Sequence, residues 1–160
     1  MSIPKKIHYC WFGRGEKSDL IKKCMESWKV QCPDWEIIEW NEDNFDIHLC
    51  PYTEKAYKAK KYAYLTDAAR LKILYDYGGV YMDTDVELLK PLDDLLEHNA
   101  WFGYMRSTNP DGQTLIQVNT GSGFGSSAGN PFILELLNQY LAFDYNHPFE
   151  ICNILDTNVF

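Results

Sequence analysis

The residues best suited to chemistry are two aspartates, Asp83 and Asp85, which directly follow the apolar residues 80–82. Gly78 and Gly79 precede that apolar segment, and glycine is typical of the point where a helix ends. Carboxylate oxygens are preferred ligands of Mg²⁺ and Mn²⁺, and residues i and i+2 of an extended strand share a face. The pattern therefore predicts a Mn²⁺ or Mg²⁺ site, although an isolated Asp-x-Asp pair is usually a solvated turn.

A second pair of charges, Asp67 and Arg70, lies in segment 53–77, whose apolar pattern predicts a long helix that could divide near Tyr64. Residues three apart on a helix are neighbours on its surface. Both charges interrupt an otherwise apolar band, so they could form a partly buried structural ion pair. They could equally lie at the mouth of a site and bind hydroxyl groups and phosphate.

Trp11 ends an early segment, residues 3–12, that is rich in β-branched and aromatic residues and predicts a strand. A single tryptophan is usually part of a hydrophobic core. If this strand adjoins the strand that leads to Asp83, however, the indole ring would lie at the same sheet edge. It could then stack on a nucleobase.

The elements that must position these residues predict an α/β fold. A helix capped by Ser18 should run to about Gln31 and be followed by a strand over residues 35–40. In such sheets the ligand crevice lies at the carboxyl ends of the strands, where Asp83 is expected. Further along, the sequence predicts strands over 100–105 and 115–119, a glycine-rich loop over 121–129, and a helix over 130–143.

Composition limits the possible functions. A chain of 160 residues with 46% hydrophobic residues suits one domain, and its net charge of −8 argues against a broad nucleic-acid-binding surface. No signal peptide or membrane span is recognisable, which favours a cytoplasmic setting with reduced cysteines. One local run is basic and could be a solvated helix face or a patch for anionic lipid or a lipid-linked substrate: Lys55, Lys58, Lys60 and Lys61.

The histidines are scattered along the chain and lack the spacing of a metal site, so we expect structural or surface roles for all of them. They are His8, His48, His98 and His147.

Two stretches of the sequence together carry a resemblance to a known family. They are residues 3–13, IPKKIHYCWFG, and residues 65–85, LTDAARLKILYDYGGVYMDTD. They resemble the DXD-containing glycosyltransferases of family 32. That family includes capsular polysaccharide synthesis enzymes and initiating mannosyltransferases of the yeast type, and it is similar in core to the glucosylating bacterial toxins.

The resemblance implies a GT-A fold, which is Rossmann-like with a mostly parallel sheet flanked by helices, in a single nucleotide-sugar-binding domain over residues 1–160. It implies metal-dependent transfer of a sugar, with retention of configuration, in capsular or surface polysaccharide synthesis. The expected donor is a UDP-sugar, with a GDP-sugar second, and the expected acceptor is a saccharide or lipid-linked saccharide. We also expect a cytoplasmic protein with peripheral contact at the inner membrane face.

The resemblance also implies roles for individual residues. By motif position, Trp11 would stack on the nucleobase, and Asp67 and Arg70 would bind the donor sugar, with Arg70 also reaching the phosphate. Asp83 would contact ribose and sugar hydroxyls close to the metal, and Asp85 would bind the metal directly.

Asn119 aligns more loosely, with a segment that lines the donor or acceptor cleft. Family members normally continue to a C-terminal segment with a His- or Trp/Ser-containing motif that helps to close the site. We find no such motif, so we expect the chain to lack that segment.

Two other functions remain open. A phosphatase of the haloacid dehalogenase type also has Asp-x-Asp after a strand, with the first aspartate as nucleophile. It expects a threonine soon after the second aspartate, where this chain has Val86 and Glu87. The other alternative is a non-catalytic module that binds a sugar nucleotide, which donor binding without hydrolysis would indicate.

Overall fold

The computed structural model describes residues 2–108, 110–150 and 152–157. Its strands are β1 Lys6–Cys10, β2 Glu36–Trp40, β3 Gly79–Met82, β4 Ala100–Thr108 and β5 Thr114–Ser126. Its α-helices are α1 Asp19–Gln31, α2 Pro51–Lys58, α3 Tyr62–Tyr77, α4 Pro131–Leu141 and α5 Cys152–Thr157, with a short 3-10 helix over Asp93–Leu95.

The described strands form one sheet in the order β2-β1-β3-β5-β4. β1 lies parallel to both β2 and β3, with Ile7 opposite Val80. β5 is antiparallel to β3, and β4 is antiparallel to β5. The expected α/β fold is confirmed, and β1 and β3 are neighbours whose carboxyl ends lie at one edge. The parallel part of the sheet comprises β2, β1 and β3, beside an antiparallel hairpin.

Helices cover both faces of the sheet because side chains alternate along each strand. Val80 and Met82 of β3 face α1 and pack in one core with Trp28. Tyr81 faces the other way and packs in a second core with α3 and α4. α3 is buried on almost every side, so its polar residues Asp67 and Arg70 lie inside the protein.

The predicted long helix is divided into α2 and α3, as the sequence indicated, but the division lies at residues 59–61 rather than near Tyr64. Lys60 has φ of 56°, the left-handed conformation that commonly ends a helix. Pro51 starts α2 two residues earlier than expected, because the Thr53 hydroxyl accepts the Cys50 amide at 3.1 Å and caps the helix.

The predicted loop over residues 121–129 is wrong, because β5 continues to Ser126. Its glycines permit close packing that the sequence does not reveal. A Cβ on Gly125 would lie 2.3 Å from the indole nitrogen of Trp101, and one on Gly123 would lie 3.0 Å from the sulfur of Met82. Residues 121–126 have a composition typical of a turn, but here their glycines form a strand surface on which neighbouring side chains pack closely. None of the described helices has the length and apolar character of a membrane span.

Candidate active site

A cleft of about 650 Å³ opens at the edge where β1 and β3 end. Its walls come from the ends of these two strands, the first half of α3, Gly121 of β5 and Cys152 of α5. Five of the residues that the sequence singled out line it together. They are Trp11, Asp67, Arg70, Asp83 and Asp85.

The two aspartates of the Asp-x-Asp pair reach the cleft through a turn. The Val86 amide donates to the Asp83 carbonyl at 3.1 Å, so the chain bends directly after β3. The strand geometry used to predict that both carboxylates share a face is therefore wrong in detail, although both do line the cleft. The Asp83 amide donates to the Ser122 carbonyl at 3.1 Å, which fixes the turn against β5.

Asp83 is half-buried whereas Asp85 is exposed to the cleft. The Tyr81 hydroxyl donates to Asp83 Oδ1 at 2.8 Å, and the other carboxylate oxygen can bind a ligand. Burial raises the pKa of Asp83, and the nearby Asp85 carboxylate raises it further. The Arg70 guanidinium and the Tyr81 hydroxyl act in the opposite direction and lower this pKa. The Asp83 and Asp85 carboxylates repel each other, and a cation bound beside them would offset this repulsion.

Asp83 and Asp85 are the candidate metal ligands that the described residues bring to this site. Within the described ranges, no group of three or more His, Cys, Asp or Glu residues could hold a metal ion. Mg²⁺ and similar cations commonly use one or two carboxylates and take further oxygens from substrate phosphates. Asp83 and Asp85 therefore fit such a cation only when a phosphate-bearing ligand completes its coordination.

Asp67 and Arg70 form a buried ion pair that also faces the cleft. The Arg70 Nη2 lies 2.7 Å from Asp67 Oδ1, and the two residues are 2% and 8% exposed. The contact is an ion pair without hydrogen-bond alignment, because neither Nε nor Nη2 of Arg70 has a hydrogen-bond partner in the described structure. Such buried donors are rare and mark a place where a ligand can bind.

The surroundings of this pair oppose charge on Asp67. Burial raises its pKa to about 6, with the Arg70 guanidinium opposing this effect and the carboxylates of Asp156 and Asp83 adding to it. The Arg70 guanidinium also lies 5.8 Å from the centre of the Tyr81 ring. The structural and functional interpretations of the pair are therefore compatible, because the same contact is buried and lines the cleft.

Trp11 is held in a fixed orientation where it lines the cleft. Its indole nitrogen donates to the Gly15 carbonyl at 2.7 Å, and the Lys17 ammonium lies 5.0 Å from the ring centre. Lys17 is itself held by Glu39 at 2.8 Å. An indole ring fixed in this way presents a flat apolar surface to the cleft.

Asn119 is the predicted site residue that does not line the cleft. Its Oδ1 accepts from the Gly121 amide at 2.8 Å, and its Nδ2 donates to the Ser122 hydroxyl at 3.1 Å. It therefore supports the part of β5 that forms the cleft wall.

Residues near the end of the described chain were missed by sequence reasoning. The Thr120 hydroxyl donates to Asp156 Oδ2 at 2.6 Å, and both residues are buried. Cys152 lines the cleft beside Arg70. Cys152 and Asp156 are four residues apart, which is the spacing of one helix face, and this spacing is the local signal that could have linked them.

Comparison with known proteins gives a family match over residues 18–102, to the glycosyltransferase sugar-binding region containing the DXD motif. Inositol phosphoceramide mannosyltransferase 3 of Schizosaccharomyces pombe is 29% identical over 166 residues, covering 96% of this chain and 42% of that protein. Mannosyl phosphorylinositol ceramide synthase SUR1 of Saccharomyces cerevisiae is 29% identical over 150 residues, covering 89% of this chain and 36% of that protein. The chain thus spans less than half the length of these curated relatives.

A similar solved structure is that of the PaToxG glycosyltransferase. It superposes with a TM-score of 0.65 at 18% identity, covering 99% of this chain and 69% of that chain. At this identity the likeness concerns the fold, which is the GT-A fold that the sequence led us to expect.

Proposed function

Because this chain belongs to the glycosyltransferases with a DXD-containing sugar-binding region, we propose that its cleft binds a nucleotide-sugar donor for transfer to a saccharide or lipid-linked acceptor. One observation carries the proposal. An indole ring, a buried guanidinium and three carboxylates from three separate parts of the chain line a single cleft. These groups match the base, the diphosphate and the hydroxyl groups of such a donor.

Each side chain has a task in this proposal. Trp11 stacks on the base, and Arg70 donates its unpaired N–H groups to the donor. Asp67 accepts from sugar hydroxyls while its contact with Arg70 keeps both groups in position. When bound, a Mn²⁺ or Mg²⁺ ion held by Asp83 and Asp85 would neutralise negative charge on the departing diphosphate.

We further propose retention of configuration at the transferred sugar. The acceptor hydroxyl attacks from the side on which the diphosphate leaves, and the leaving phosphate takes up the acceptor proton. Among the acids that line the cleft, Asp67 is held by Arg70 and Asp83 by Tyr81. Both are thus positioned for binding rather than for nucleophilic attack.

The names of the relatives support a mannosyl donor and a lipid-linked acceptor, because those proteins are named for mannose transfer to inositol phosphoceramide. The proposal also includes a UDP-sugar as the first candidate donor and a GDP-sugar as the second. It includes a role in capsular or surface polysaccharide synthesis and a cytoplasmic position at the inner membrane face. The family match disfavours a phosphatase of the haloacid dehalogenase type.

Thermal unfolding with a panel of UDP- and GDP-sugars, with and without Mn²⁺, tests the proposal. A ligand at 100 times its Kd stabilises the folded state by about 2.7 kcal/mol, so one donor should raise Tm and do so more strongly with Mn²⁺. Release of nucleoside diphosphate from that donor would separate a transferase from a non-catalytic binding module. The absence of any donor-specific shift would refute donor binding.

A further inference from the structure

The hairpin of β4 and β5 extends beyond the rest of the sheet. β3 pairs with β5 only over residues 123–126, whereas β4 and β5 remain paired as far as Thr108 and Thr114. Because β4 runs in the same direction as β3, the part of the hairpin that lacks β3 beside it projects past the edge that carries Asp83. Helix α5 contacts this part, since the Val118 amide donates to the Thr157 hydroxyl at 3.0 Å. We call this part, residues 103–108 and 110–119, the arm.

The arm exposes apolar side chains on both faces. Met105 and Leu115 on one face are 37% and 36% exposed, and the other face is more strongly exposed. Tyr104 and Ile116 are each 62% exposed. Tyr104 lies opposite Val118 and Arg106 lies opposite Ile116, so all four share this face. The Arg106 guanidinium lies 5.4 Å from the centre of the Tyr104 ring. An aromatic ring with a hydroxyl group, an aliphatic side chain and a long cation are typical of the membrane–water interface.

A basic corner lies at another side of the same cleft mouth. Lys58, Lys60 and Lys61 are exposed around the turn between α2 and α3, and we call them the lysine corner. The next residues, 62–64, line the cleft. Neither Lys60 nor Lys61 forms an ion pair with an acidic residue in the described part of the chain. Lys58 pairs with Glu54 at 2.7 Å, so within the described residues Lys60 and Lys61 supply the uncompensated positive charge of the lysine corner, in a chain with net charge −8.

We propose that the arm and the lysine corner together bind the surface of an anionic lipid bilayer, so that the cleft opens onto lipid headgroups. A bilayer matches both features, since its headgroup layer is negative and its interfacial region accepts Tyr104 and Ile116. The inference rests on the proposed function, because a lipid-linked acceptor would then reach Asp83 and Asp85 directly from the bilayer.

Flotation with vesicles of phosphatidylcholine, with and without phosphatidylinositol, tests this surface. The wild-type chain should float with the anionic vesicles and much less with the neutral ones. Each basic residue near an anionic surface is worth about 1 kcal/mol, or about fivefold in partitioning. The variant Lys60→Asn/Lys61→Gln should therefore lose about 25-fold, and asparagine tolerates the left-handed backbone at position 60. The variant Tyr104→Ser/Ile116→Ser should reduce binding to the anionic vesicles as well.

Helix α1 supplies matched controls because it exposes similar side chains away from the arm. Val30, near the far end of α1 from the cleft-lining Ile21, is 67% exposed, so Val30→Ser should leave vesicle binding unchanged. Lys22→Gln/Lys29→Gln removes two exposed lysines and should also have little effect. Arm variants that bind as the controls do, or equal binding to both vesicle types, would overturn the proposal.

The donor-dependent thermal shift, measured on the same variants, separates this inference from the proposed function. A variant that keeps the donor-dependent rise in Tm but no longer floats with the vesicles is folded, and this result supports the bilayer surface. Flotation of a wild-type chain that shows no donor shift would refute donor binding but keep the bilayer surface. If the serine variant instead changes the oligomeric state and floats normally, the arm is a self-association surface and the proposal fails.

Discussion

The Asp67 carboxylate lies 2.7 Å from the Arg70 guanidinium, in a pair that is buried on helix α3 and yet lines the cleft. The stability of the fold and the proposed donor binding therefore involve the same two side chains. A buried charge without its partner is strongly destabilising, whereas replacing both partners can be neutral.

We predict that Arg70→Met destabilises the chain by about 3–5 kcal/mol at neutral pH, because it leaves the Asp67 carboxylate buried and unpaired. The cost should shrink towards pH 5, since a carboxyl whose pKa is already raised to about 6 becomes protonated there. Urea unfolding at both pH values measures this effect. The double variant Asp67→Asn/Arg70→Met should recover much of the stability but not donor binding; recovered binding would contradict the assigned role.

Replacement of Asp85 should separate metal binding from folding. Asp85 is exposed, so Asp85→Asn should leave Tm unchanged without ligand. It should remove the additional donor-dependent shift caused by Mn²⁺ and slow nucleoside diphosphate release by roughly 100-fold, about 3 kcal/mol. Glu87→Gln is the matched control, since Glu87 pairs with Lys23 at 3.3 Å on the surface and should not affect turnover. Unchanged turnover in Asp85→Asn would exclude its metal role.

His8 should make stability depend on pH. Its Nδ1 accepts from the Trp40 indole at 3.0 Å, so Nε2 carries the proton and donates to the Gly78 carbonyl at 2.9 Å. Burial lowers the pKa of His8 to about 4. The unfolded chain therefore binds the proton more readily, and this contribution to stability falls as pH drops from about 6.5 to 4.

The loss could reach about 3 kcal/mol across that range, because each pKa unit corresponds to about 1.4 kcal/mol. Urea unfolding at several pH values gives the free energy of unfolding at each pH. This free energy should change less with pH, with a smaller slope, for His8→Gln than for the wild type. His98 is exposed, so the slope of His98→Gln should match the wild type. Equal slopes for His8→Gln and wild type would show that His8 does not titrate in this range.

Two glycines in the loop after β1 offer a comparison of backbone strain. Gly13 has φ of 88°, and a Cβ there would lie 2.3 Å from the Tyr62 ring, whereas a Cβ on Gly15 meets nothing within 4 Å. Gly13→Ala should therefore cost about 1–3 kcal/mol and weaken donor binding, because Tyr62 lines the cleft. Gly15→Ala should stay within about 0.5 kcal/mol. Thermal unfolding with and without donor tests both substitutions. Equal changes in Tm for Gly13→Ala and Gly15→Ala would argue against the close approach of Tyr62 to position 13.

Local patterns accounted for the elements that carry the site. The β-branched and aromatic content of segment 3–12 predicted β1, and the Ser18 cap predicted α1. The glycine pair marked the end of the helix before β3, which Asp83 directly follows. The expectation that Trp11 and Asp83 share an edge depended on the pairing of β1 with β3, which is confirmed. Local composition predicts these features because each depends on residues close in sequence.

The features that were missed depend on contacts between distant residues. Gly125 belongs to a strand because Trp101 packs against it, and nothing near position 125 indicates that contact. The bond between Thr120 and Asp156 joins residues 36 apart. The roles of the predicted site residues remain predictions, to be decided by the donor-binding and turnover measurements.

The position of α5 has a consequence for biosynthesis. Trp11 comes from the end of the first strand and Cys152 from the last described helix, yet both line one cleft. A nascent chain cannot complete this cleft until residue 152 has emerged from the ribosome. A ligand that contacts every wall of this cleft can therefore bind only molecules in which the sheet and helix α5 have already assembled.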